Sequence, residues 1–106
     1  MDKKSKHLMD FISEAIDHMD VSGFEVLEIL DVRSRLASRE PLLDEQDKAS
    51  LEGLDRRLLQ MADSLIERIS EVANLAEMRR RSHILPSHWW WYLDGIITDK
   101  RKVATG

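Results

Sequence analysis

A length of 106 residues fits one domain with a modest core, since a chain of this size buries roughly 60–70% of the surface its unfolded form exposes. With 34% charged residues, 4 glycines, 2 prolines and no cysteine, the composition favours helices and excludes disulfides, thiolate metal sites and cysteine nucleophiles. The net charge of −4 is uneven: residues 1–78 hold 10 Lys/Arg against 18 Asp/Glu, whereas residues 79–106 hold 6 against 2.

The first predicted helix covers residues 5–19, where Leu8, Ile12, Ala15, Ile16 and Met19 recur at helical spacing and Asp10, Glu14 and Asp17 fall on other faces. Lys3, Lys4 and Lys6 precede it, where a helix dipole disfavours cations. A turn follows, because Ser22 and Glu25 have capping-box spacing and Val21 and Val26 can form a hydrophobic staple. The second helix carries Phe24, Val26, Leu27, Ile29, Leu30 and Val32 around much of its circumference and is expected at the centre of the core. Glu40-Pro41 stops it.

Asp44 can cap the next helix, with Glu45 and Asp47 favourable in its first turn. From residue 45 to 81 there is no proline, which predicts one helix of about 35 residues, on the order of 50 Å. Its apolar row comprises Leu51, Leu54, Leu58, Met61, Leu65, Ile69, Val72 and Ala76, with an extra step of four between Leu65 and Ile69; a kink near 62–65 is the alternative to a stuttered, straight seam. Neither short helix can cover such a row alone. The two in tandem could cover it, or a second copy could; a second copy is the favoured expectation, which makes the row a dimer seam.

Arg79, Arg80 and Arg81 suit a helix C-terminus and also form a candidate contact for an acidic partner or phosphate. Pro86 breaks the chain, and Ser87 can cap a short aromatic helix over 89–94. Successive helical side chains turn by about 100°, so Trp89, Trp90 and Trp91 cannot all enter one core face. Trp89 with Leu85, Leu93 and Ile96 forms the expected inward stripe, leaving Trp90 or Trp91, with Tyr92, as candidate interface residues.

The expected architecture is therefore all-α: a small helical bundle of two short N-terminal helices, one long central helix and a short aromatic C-terminal helix. Residues 1–97 form the domain and 98–106 a flexible basic tail. No phosphate-cradling glycine loop, nucleophile elbow or zinc motif occurs, and Asp10, Glu14 and His18 lack a second metal-binding helix, so no enzyme activity, metal or cofactor is expected. No apolar run reaches the roughly 20 residues that span a bilayer, and no signal-type segment follows the basic start, which predicts a soluble, cytoplasmic protein without membrane contact.

The run Arg33-Ser34-x-Leu36-Ala37 through Leu51-x-x-Leu54-Asp55-x-x-Leu58-Leu59 resembles small uncharacterised all-helical proteins of cyanobacterial type, some labelled transcriptional regulators. That resemblance supplies no functional residue. The functional expectation is a helical interaction or regulatory protein, a homodimer whose Trp-rich basic segment makes contacts with a protein partner. The alternative is nucleic-acid binding, with arginines and aromatics as a stacking platform. A helix-turn-helix is disfavoured because its recognition helix would begin Gly23-Phe24-Glu25-Val26-Leu27-Glu28, acidic and apolar where phosphates should lie.

Overall fold

The computed structural model describes residues 2–18 and 22–96. The expectations for Met19, for the turn residues Asp20 and Val21, and for the tail 98–106 lie outside the described residues. Helix α1, Lys3–Asp17, starts earlier than expected because Asp2 supplies its N-cap, accepting the Ser5 N–H at 3.3 Å. Met9, Ile12 and Ile16 then make one buried stripe. Ser5 is fully buried, and its hydroxyl accepts from Arg39 Nε at 2.9 Å while Arg39 Nη2 reaches Asp2 at 2.5 Å. The start of α1 is thereby tied to the end of α2, Gly23–Ala37, and the two helices form an antiparallel pair.

Ser22 caps α2 by accepting the Glu25 N–H at 3.3 Å, in line with the capping-box spacing. Val26, Ile29, Leu30, Val32 and Leu36 are buried, and α2 packs against α1 and α4. Phe24 departs from the expected core: it is 67% exposed. The cause is the close seat of the helix's first turn, where a Cβ on Gly23 would stand 2.2 Å from the Arg68 carbonyl oxygen and 2.7 Å from Val72 Cγ2. That approach turns the Gly23 face inward and the neighbouring Phe24, about 100° away, outward.

A 3-10 turn, Glu40–Leu42, follows with Pro41 in its first positions. Asp44 caps α3, Glu45–Gln60, through the Asp47 N–H at 2.8 Å, a bond that holds the Asp44 carboxyl below its usual range. The expected single helix over 45–81 is three helices: α3, α4 (Ala62–Ser70) and α5 (Leu75–Ser82). Met61, at φ −97° and ψ 5°, bends the axis while its N–H still donates to Arg57 and its carbonyl accepts from Leu65, both at 3.0 Å. The bend lets Leu51, Leu54 and Leu58 on one side, and Ala62, Leu65 and Ile69 on the other, enter one core.

The second break is a capped restart. Asn74 is extended and accepts the Glu77 N–H at 3.0 Å, opening α5, which ends at His83 in the left-handed region at φ 52°. Of the proposed seam, Leu51, Leu54, Leu58, Leu65 and Ile69 are buried within the chain; Met61 and Val72 are half-buried and Ala76 is exposed. Among the described residues, no helix is long and apolar enough to cross a membrane.

The clamp at the start of α1 has a pH signature. The Ser5 hydrogen bond, followed by the Arg39 guanidinium, lowers the Asp2 carboxyl from 3.8 to about 2. A depressed carboxylate contributes stability that is present above 3.8 and lost as pH falls through about 2. Asp2→Asn should therefore be less stable than wild type at neutral pH, with the gap closing as denaturation is followed from pH 4 to pH 2. A gap that stays constant over that range contradicts the assignment.

Candidate functional site

The residues expected to make outward contacts are largely engaged within the chain. Arg33, on α2, is only 3% exposed. Its Nε and Nη2 donate to the two carboxylate oxygens of Asp55 on α3 at 2.8 and 3.0 Å, and Nη2 also donates to Glu40 at 3.0 Å. The guanidinium carbon stands 4.2 Å from the centre of a Trp90 ring. A buried cation is tolerable only with such partners, and here two carboxylates and an aromatic face supply them. Nη1 has no hydrogen-bond partner among the described residues.

One residue further on, Ser34 organises the tryptophans. Its hydroxyl accepts Nε1–H from both Trp90 and Trp91 at 2.9 Å, and lies 3.2 Å from His88 Nδ1. A serine hydroxyl has two lone pairs and one proton. With both lone pairs taken, the proton is directed to His88 Nδ1, which selects the tautomer protonated at Nε2. His88 also stacks on Trp90 at 4.8 Å. The Ser34–His88 spacing resembles a nucleophile and its base, but an oxygen whose lone pairs both accept indole N–H groups is a structural acceptor.

Trp90 and Trp91 are thus the buried pair, at 2% and 8% exposure, whereas Trp89 is half-buried and meets Trp90 edge-on. Of the expected inward stripe, Leu93 is fully buried and Trp89 and Ile96 pack against the core, whereas Leu85 is 63% exposed. The segment Trp89–Tyr92 is a 3-10 turn, so its neighbours diverge by about 120°, and the single serine between two diverging indoles satisfies both. Arg79 fixes the same segment from α5. It donates to the Trp91 carbonyl at 2.9 Å and to both Asp94 oxygens at 2.5 and 3.1 Å, and covers the Tyr92 ring at 4.7 Å. Burial opposes ionisation of Asp94, but the Arg79 hydrogen bonds and charge outweigh it and leave that carboxyl below its ordinary range. Tyr92 donates to the Ile84 carbonyl at 2.6 Å. Arg80 and Arg81 are exposed, and Arg81 pairs with Glu77 at 2.7 Å.

The surface open to a partner lies elsewhere. Between α1 and α2 runs a groove of ≈ 360 Å³ lined by Phe11, Glu14, Ala15, His18, Glu25 and Glu28. Phe11, Glu14 and Ala15 occupy i, i+3 and i+4 of one α1 face, with the C-cap His18 just beyond the helix; Glu25 and Glu28 are one turn apart on α2, with exposed Phe24 four residues before Glu28. Phe11 is 36% exposed. None of the ion pairs among the described residues involves Glu14, Glu25 or Glu28. The groove therefore offers an aromatic floor and a carboxylate rim. Amphipathic spacing could have revealed it, because Phe11 lies beside rather than on the α1 core stripe.

No family model, curated protein or solved structure matches the chain. What the groove and the aromatic segment do follows from their own residues.

All three tryptophans stand in the docked segment, so fluorescence reports its docking directly. Ser34→Ala removes the acceptor of two indole N–H groups, and each buried donor left unpaired costs about 1–3 kcal/mol. The expected result is a red-shifted emission and loss of the tryptophan signal at lower denaturant than the helical signal. Unchanged emission with coincident, unshifted transitions contradicts the arrangement.

Proposed function

We propose that the chain is a non-enzymatic helical interaction module whose contact surface is the α1–α2 groove, and that its partner is a protein segment that is helical, basic and apolar on one face. The observation that supports this most directly is an exposed aromatic, Phe11, beside three carboxylates that no described cation engages. An amphipathic helix laid in a groove gains affinity from its apolar anchors, and opposite charge at the rim speeds and orients the encounter. The Trp-rich segment serves this module as a brace that fixes α2 from behind.

A homodimer through the 51–76 row is not proposed, because that row is mostly used within the chain. Nucleic-acid binding is the weaker reading: of the three consecutive arginines, Arg79 is bound to Asp94 and the Trp91 carbonyl, and Arg81 pairs with Glu77. It keeps Arg80 and the basic residues beyond 96, and a duplex titration at low salt addresses it.

Anisotropy with a labelled, helical Lys/Leu peptide measures the proposed interaction. Binding to the full chain should weaken as salt rises, and Phe11→Ser should weaken it by roughly tenfold, as expected for an aromatic anchor, with the helical signal unchanged. An acidic peptide of the same apolar pattern should not bind. Absence of binding by the basic peptide, or equal binding of both peptides, refutes the proposal.

A further inference from the structure

His88 is tied to the aromatic turn through both its side chain and its backbone. Its Nδ1 lies 3.2 Å from the Ser34 hydroxyl, its ring stacks on Trp90 at an interplanar angle of 23°, and its carbonyl accepts the Trp91 N–H at 3.0 Å. The same Ser34 oxygen accepts Nε1–H from Trp90 and from Trp91, each at 2.9 Å. We propose that His88 is a pH-sensitive latch: a neutral imidazole holds the Trp89–Tyr92 turn on α2, and protonation releases the turn and uncovers Trp90 and Trp91. The latch stands whether or not the α1–α2 groove binds a partner.

The chemistry is a matter of donors and lone pairs. A neutral imidazole has one acceptor nitrogen, whereas an imidazolium has two donors and no acceptor. Around Ser34 the two indoles fill the oxygen's lone pairs, and the hydroxyl proton goes to Nδ1. Once Nδ1 carries a proton, three N–H donors converge on two lone pairs and the hydroxyl proton has lost its acceptor. Ring reversal does not restore one, because Nε2 of the imidazolium is protonated as well. Trp90 and Trp91 are buried, so an indole N–H that loses Ser34 is left unpaired while the turn stays docked.

The surrounding charges act in the same direction. An indole face attracts a cation, but Arg33 already stands 4.2 Å from the centre of the Trp90 ring, and Asp55 and Glu40 are hydrogen-bonded to that guanidinium. Asp31, one turn before Ser34 on α2, pairs with Arg35 at 3.0 Å. From α5, Arg79 covers Tyr92 and holds Asp94, and Glu77 pairs with Arg81. None of the ion pairs among the described residues involves His88. A proton on His88 therefore adds a cation beside Trp90 without a carboxylate to pair with it.

Because the docked turn accommodates only the neutral ring, release takes up a proton. Docking is present above the range in which histidine titrates, about pH 5–8, and is lost as pH falls through it. The carboxyls of Asp2, Asp44 and Asp94 are held below their ordinary range and stay ionised there, so the helix caps and the Arg79–Asp94 pair persist. Release is local to the turn.

All three tryptophans lie in the turn, so the emission wavelength and acrylamide quenching of the full chain, followed from about pH 8 to about pH 5, read the latch. The expected result is a reversible red shift with increased quenching over a one-proton transition, the helical signal being retained. Constant emission, or a shift that coincides with loss of the helical signal, overturns the latch. His88→Gln is neutral throughout and keeps an amide oxygen as acceptor, so it should abolish the transition. The His7→Gln/His18→Gln/His83→Gln variant, altered only at exposed histidines, should retain it. A transition that survives His88→Gln, or is missing from the triple variant, contradicts the assignment. Should His88→Gln be undocked already at the upper pH, the triple variant alone decides, since His88 is its one remaining histidine.

Discussion

The fold turns on a buried guanidinium. Arg33 sits at 3% exposure about one turn before the C-terminal end of α2, and its charge is held by Asp55 of α3, Glu40 of the 3-10 turn and the face of Trp90. Leaving one such charge without its partner costs about 3–5 kcal/mol, a large share of the stability of a domain this size. Each partner must therefore be delivered to the same place, and their sequence positions, 7, 22 and 57 residues away, span most of the chain. Four separate segments are brought into register around one side chain.

Ser34 extends that constraint to the other indoles. Because the Arg33 cation lies over Trp90 and the Ser34 hydroxyl accepts from Trp90 and Trp91, adjacent residues of α2 bind the aromatic segment through different chemistry. Arg79 of α5 closes it by pairing with Asp94, two residues beyond the aromatic turn. An aromatic cluster that would be an obvious anchor for a partner is thereby turned inward, and it stiffens the back of α2. The opposite side of that helix, with α1, is left carrying Phe11, Phe24 and the three carboxylates. Division of labour between the two sides of α2 links the fold to the proposed function.

Local signals were legible wherever the physics is local. Ser22 and Asp44 cap the helices their side-chain oxygens predicted, Pro41 ends α2 as its ring requires, and Ile12 and Ile16 are buried as their spacing indicated. The run 45–81 is interrupted twice, and only the first break, beside the kink considered near 62–65, was among the alternatives the spacing offered. Met61 bends the chain without losing its ladder, a tertiary effect driven by burying both arms of the row. Asn74, by contrast, had a readable signature, since Asn74 followed three residues later by Glu77 is an N-cap pattern inside an otherwise continuous helical run. Arg33 and Ser34 entered only through a resemblance, and nothing in their own neighbourhood marked them. A buried arginine is recognisable only with its distant carboxylates, and a serine shared by two indoles only when the 3-10 turn places both rings.

The central claim is that the tryptophans brace the bundle while the α1–α2 groove makes contacts. A single NMR titration of the full chain with the basic amphipathic peptide tests both halves, because the indole Nε1–H and the Phe11 and His18 ring signals are separately observable. The account predicts that Phe11 and His18 signals shift with added peptide, while the Trp90 and Trp91 indole protons stay in place and exchange slowly with solvent. Shifts centred on the Trp90 and Trp91 indoles, with Phe11 and His18 unmoved, would contradict it.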